Sequence, residues 1–346
     1  MSVAIALLPV LAFLAVLILC DSFKLVPTTM LARAIGAGAV AALATSWLHT
    51  WLFAVTGFDT MTFSRFVAPV TEETLKALFV LWALKRGQIG FLVDAAIIGF
   101  AIGAGFAVVE NIEYLRNLED PRLWVWIVRG FGTAVLHATT TAIVAIAAKS
   151  LTDRTPERGW VMLLPGWIAA IGLHSLYNHA LVSPVLAAAL LLLVLPLVVM
   201  TVFTASERKT REWVGDGLDL DVELLQLIKS AHFGSTRLGR YLVELRERFP
   251  GPIVADMFCL LQIDLELSIR AKGMLMAREA GLESPPDPTL DAQLEERRYL
   301  TKTIGRTGRL ALRPLQVTSD RDLWHHYLLH QAGEKRRWRQ LIRRRW

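Results

Sequence analysis

The sequence predicts an all-α membrane protein: a polytopic bundle of about seven transmembrane helices, followed by a soluble helical domain. Three observations predict it. Hydrophobic residues make up 54% of the chain, above the 45–50% or so usual for soluble domains. Apolar stretches of about the length needed to cross a bilayer recur through residues 1–205. Most of the Asp, Glu, Lys and Arg lie beyond residue 205. The chain therefore divides into a transmembrane domain, 1–205, and a tail domain, 206–346.

The first apolar stretch, residues 3–20, has no basic residue ahead of it and no clear small-residue cleavage site. It reads as a retained first span rather than a signal peptide. Six more stretches follow at 34–56, 66–84, 91–112, 123–148, 160–182 and 185–205. Backbone polar groups in lipid must pair internally, so each stretch is expected to be helical. With seven spans, one side receives Lys24, Arg33, Lys85, Arg86, Lys149, Arg154 and Arg158, and the other receives Arg65, Arg116 and Arg122. The positive-inside rule then places the N-terminus outside and the tail in the cytoplasm of a multi-pass cell-membrane protein.

In the tail, Leu220, Leu224, Leu227 and Ile228 recur at helical spacing. Breaks are expected at Phe249–Pro252 and Ser284–Pro288, with a helix from about 253 to 280 between them. The C-terminus carries seven Lys or Arg between Lys335 and Arg345, beside Trp338 and Trp346. That mixture suits the surface of an anionic membrane better than nucleic acid, and it equally suits a solvated, charged helix end. The two cysteines, Cys20 and Cys259, match neither a disulfide framework nor a thiolate metal site.

Ionisable side chains are expensive at bilayer depth and usually face a partner or a polar cavity. Four successive helices carry them. Glu72, Glu73 and Lys76 stand near the start of the third stretch; Glu72 and Lys76 share a helix face and can pair. Asp94 and Glu110 bracket the fourth, with Gly99, Gly103 and Gly105 between them to permit close helix approach. His137 lies in the fifth stretch. His174 and Asn178 share a face of the sixth, with His179 turned away. A bland reading fits each group alone, as an interfacial ion pair or a core histidine. It has to be invoked four times over.

The pattern Glu72-Glu73-x-x-Lys76, Phe106-x-x-x-Glu110-Asn111, His137 and His174-x-x-x-Asn178 resembles the PrsW family of intramembrane proteases. The resemblance covers about residues 30–200 and leaves the tail unplaced. It implies hydrolysis of peptide bonds in membrane-associated proteins within the lipid bilayer. Residue by residue, it implies Glu72 as the base that activates water, Glu73 in support and Lys76 holding Glu72. Glu110, His137 and His174 complete the site, and Asn178 stabilises the oxyanion. If a metal is used, zinc would take Glu110, His137 and His174; no His-Glu-x-x-His helix is present, and a metal-free scheme is equally compatible. Two other functions suit buried charge: a non-catalytic scaffold or receptor of the same fold, and a proton-coupled transporter. Both glutamates and both histidines are retained, which argues against the scaffold. The two halves of residues 1–205 show no repeat of the kind transporters often carry.

Overall fold

The computed structural model describes residues 2–21, 26–117, 122–154, 161–282, 289–312 and 314. The basic segment from Lys335 to Trp346 and the Ser284–Pro288 break lie outside them. Among the described residues the chain is helical and has no strand. It divides into two compact units, Met1–Arg208 and Lys209–Trp346.

The first unit begins with α1 (Ser2–Leu19) and α2 (Thr28–Thr56). A short turn, α3 (Thr60–Thr62), is capped by Asp59, whose carboxylate accepts from the backbone N–H groups of Met61 and Thr62. A π-helical segment, Phe63–Val67, leads into α4 (Ala68–Lys85), and Pro69 sits in its first turn, where a missing N–H costs little. Next come α5 (Leu92–Asn117) and a short α6 (Leu123–Ile127). A second π segment, Val128–Thr133, runs into α7 (Ala134–Arg154). The unit continues with α8 (Leu164–Asn178) and the first part of α9 (Pro184–Lys229).

Among the described residues, five helices are long and apolar enough to cross a membrane: Ser2–Leu19, Thr28–Thr56, Leu92–Asn117, Leu123–Asp153 and Val161–Asn178. The expected stretch at 66–84 forms α4, set apart by Glu72, Glu73, Lys76 and Lys85. The expected stretch at 185–205 lies in α9, where Pro184–Val194 is a shorter apolar run.

The organising element is α5, which is buried along most of its length between α2 and α7. Glycine makes this possible. A Cβ on Gly103 would fall 2.2 Å from the His137 carbonyl oxygen, and one on Gly105 would fall 2.1 Å from that of Ile35. Only hydrogen at these positions lets the three backbones touch. By contrast, α2 leaves Val40, Leu43, Trp47 and Trp51 exposed, as suits a face turned to lipid.

The second unit holds the end of α9 with α10 (Arg237–Leu245), α11 (Gly251–Glu279), α12 (Leu290–Thr303) and α13 (Gly305–Leu312). Ile228, Leu261 and Leu265 centre one of its apolar clusters. A buried ion pair, Lys272 Nζ to Asp221 at 2.7 Å, joins α11 to α9, and Ser268 donates to the same carboxylate.

Candidate functional site

Both π segments stand directly before helices that carry candidate residues. A π turn adds a residue and changes the direction in which the following side chains project. The first delivers Glu72 and Glu73 on α4, and the second delivers His137 on α7. Carbonyls in the first segment are met by α8: Ser175 Oγ donates to Arg65 O at 2.7 Å, and Asn178 Nδ2 donates to Ser64 O at 2.9 Å. These bonds fix the helix bearing His174 against the helix bearing the two glutamates.

Glu73 and Lys76 are fully buried and paired at 2.7 Å. Glu73 Oε1 also accepts from Thr140 Oγ1 at 3.2 Å and lies 2.9 Å from His174 Nδ1. Lys76 Nζ reaches His137 Nδ1 at 3.2 Å and sits over the Phe106 ring. The far nitrogen of His137, Nε2, is 3.0 Å from Glu110 Oε2. The two imidazoles meet edge to face, with centroids 4.9 Å apart. Glu72 stands between them: its Oε2 is 3.8 Å from His137 Nδ1 and 3.8 Å from His174 Nε2. That oxygen is buried and has no hydrogen-bond partner.

Glu72, Glu73, Lys76, Glu110, His137 and His174 thus meet in one network contributed by α4, α5, α7 and α8. Three expectations change. Lys76 holds Glu73 rather than Glu72, because residues three apart share a helix face as well as residues four apart, and Glu73 is already drawn to His174 and Thr140. The grouping with metal-ligand spacing is Glu72, His137 and His174, whose ligand atoms lie within 4.8 Å of one another. Glu110 is not among them, because it approaches His137 from the opposite nitrogen. Asn178 enters no bond of the network; its amide is used on Ser64 O. His179 also stays outside, with Nδ1 on Ser175 O at 2.7 Å.

Two further residues border the site. His49 of α2 places Nε2 2.6 Å from Thr71 Oγ1, one position before Glu72. Arg129, in the second π segment, places Nη2 3.2 Å from Glu110 Oε2. Arg129 was visible in the sequence as a charge in an apolar stretch, but nothing there paired it with Glu110. His49 carried no signal beyond a lone histidine near a helix end.

The donor set suits a divalent ion. Two imidazoles and one carboxylate form a recognised zinc ligand set. The unpartnered Glu72 Oε2 faces His137 Nδ1 and His174 Nε2, while the other ring nitrogen of each histidine is held by a carboxylate, Glu110 and Glu73 respectively. Such outer carboxylates are usual behind metal-bound histidines. Lys76 Nζ would compete with an ion for His137 Nδ1.

A scan of protein-family models finds a match. The family model described as PrsW family intramembrane metalloprotease matches residues 26–205, a little over half of the chain. No curated protein and no solved structure matches it.

Proposed function

The chain belongs to the PrsW family of intramembrane metalloproteases, and from that premise we propose that it hydrolyses peptide bonds of membrane-associated proteins at the Glu72–His137–His174 centre. One observation carries the reading. Glu72 presents a buried oxygen with no hydrogen bond, 3.8 Å from a nitrogen of each histidine. An unsatisfied buried carboxylate oxygen is costly and calls for a role or a ligand.

The residues around it divide the work. Lys76 keeps Glu73 ionised as a hydrogen-bond acceptor, and Glu73 holds His174 by Nδ1. Glu110 holds His137 by Nε2. Both rings thereby turn their other nitrogen toward Glu72. In hydrolysis Glu72 Oε2 takes the proton of the attacking water as oxygen bonds to the scissile carbonyl carbon. It returns that proton to the departing amine nitrogen as the C–N bond breaks. A zinc ion held by His137 Nδ1 and His174 Nε2 beside Glu72 would supply a Lewis acid and lower the pKa of its water, with Glu72 Oε2 kept as the base. The substrate side is a membrane protein presented within the bilayer, and the charge asymmetry of the loops supports a cytoplasmic tail.

The test uses purified full-length protein in proteoliposomes with a single-span membrane protein as substrate. His174→Ala and His137→Ala are expected to abolish detectable cleavage, while His179→Ala retains it. Equal loss in His179→Ala, or full activity in His174→Ala, would reject the assignment.

A further inference from the structure

An arginine inside an apolar helix is expensive unless its charge and its N–H groups are met. Arg129 meets three partners on one face of α5. Its Nη2 lies 3.2 Å from Glu110 Oε2, its Nε donates to Asn111 Oδ1 at 2.9 Å, and its guanidinium stacks 3.4 Å from the centroid of the Tyr114 ring. The contact with Glu110 is an ion pair without hydrogen-bond alignment, so direction comes from Asn111 and Tyr114.

The backbone beneath Arg129 is equally constrained. The adjoining Gly130 packs on α1 so closely that a Cβ there would fall 1.9 Å from Ile5 O. Asn111 turns its other end to the same helix, and Nδ2 donates to Ala6 O at 2.7 Å. With Nδ2 committed to Ala6, Oδ1 is the atom left for Arg129. A continuous chain therefore runs from Ala6 through Asn111, Arg129 and Glu110 to His137 Nε2. Its first member lies on α1, outside the residues that the family model matches.

The two nitrogens of His137 see opposite neighbours. Nε2 faces a carboxylate that can only accept, and Nδ1 faces the Lys76 ammonium, which can only donate. The ring must carry its proton on Nε2 and leave the Nδ1 lone pair on the side of Glu72.

We infer that Arg129 is a positioning residue, anchored on α1 through Asn111, that fixes Glu110 and through it the orientation and tautomer of His137. The inference rests on the reading of Glu72, His137 and His174 as the working centre. A structural ion pair alone would stabilise the bundle without setting which nitrogen of His137 is protonated.

The experiment is nitrogen NMR of the full chain labelled at histidine in lipid nanodiscs, with His137→Gln to assign the signal. Cleavage of the same single-span substrate is measured in parallel. Wild type is expected to show His137 as the Nε2–H tautomer. Arg129→Gln is expected to give a mixture of tautomers and a roughly 10–100-fold lower kcat with little change in KM, as losses of such outer partners typically do. Arg129→Lys, which keeps the charge but not the fork, restores part of both. Asn111→Leu, which leaves Glu110 and Arg129 in place, shifts the tautomer in the same direction by a smaller amount. A wild-type proton on Nδ1 overturns the inference, as does an unchanged tautomer in both Arg129→Gln and Asn111→Leu. If Arg129→Gln does not fold, the wild-type and Asn111→Leu spectra decide. Tautomers that shift as expected, in a protein that cleaves nothing even as wild type, support the positioning role and reject the protease reading instead.

Discussion

Glu73 Oε1 lies 2.9 Å from His174 Nδ1, although the two residues are 101 positions apart in the chain. The same oxygen takes Lys76 Nζ at 2.7 Å, so one buried carboxylate joins α4 to α8 and neutralises the lysine beside it. Glu73 is therefore the residue on which the geometry of the site hangs, while Glu72 beside it keeps Oε2 without a hydrogen bond between the two imidazoles.

Lys76→Met is expected to leave Glu73 buried and without its cation. Removing one partner of a buried pair typically costs about 3–5 kcal/mol. Thermal unfolding of the purified protein in detergent should show a clear fall in Tm. Pairing the change with Glu73→Gln should recover much of it. A melting temperature unchanged in Lys76→Met would mean that the pair is not a support of the bundle.

Asn178 is expected to act on structure. Its amide donates to Ser64 O in the π segment before α4. Loss of one such bond costs about 1 kcal/mol, so Asn178→Ala should lower stability slightly and reduce kcat less than about tenfold. An oxyanion donor would instead cost about 10²–10³-fold. A loss of that size in kcat, with stability intact, would return Asn178 to the oxyanion.

Zinc binding is a proposal that the donor set supports. Competition with a chelating dye in nanodiscs should find about one tight zinc site per chain, as expected for a single centre of this kind. Affinity should collapse in His174→Ala and fall about 10–100-fold in Glu110→Gln, which removes only the carboxylate behind His137. Binding that is absent, or equal in wild type and His174→Ala, would remove zinc from the account.

Topology is open to a direct check. Read with seven spans, the charges at the loops lead us to propose an outside N-terminus and a cytoplasmic tail. Along α4, Glu72 is about 20 Å from Lys85 at 1.5 Å per residue, so that proposed orientation would put the site away from the cytoplasmic side. A reporter active only in the cytoplasm, fused after Trp346, should be active. Activity of an exterior-only reporter at the same point would invert the assignment.

The sequence showed the site's charges because lipid makes them conspicuous. Glu72, Glu110, His137 and His174 each interrupt an apolar run, and the glycines of α5 announced that helices would pack closely there. Pairing was harder to read. Residues three and four apart share a face, so the spacing of Glu72, Glu73 and Lys76 could not say which carboxylate the lysine takes. Arg129 and His49 join the site from neighbouring helices through contacts that no local spacing encodes. The two π segments left no mark either, because a π turn uses the same residues as the α-helix around it and is selected by tertiary contacts such as Asn178 with Ser64 O.

The most direct measurement compares wild type and Glu72→Gln for cleavage of a single-span membrane protein in proteoliposomes. The substitution keeps the size of the side chain and removes its capacity to act as a base. With helicity and Tm matched to wild type, the rate should fall by at least about 10²–10⁴-fold, the usual contribution of an acid–base group. Undiminished cleavage by a folded Glu72→Gln protein would contradict the account at its centre.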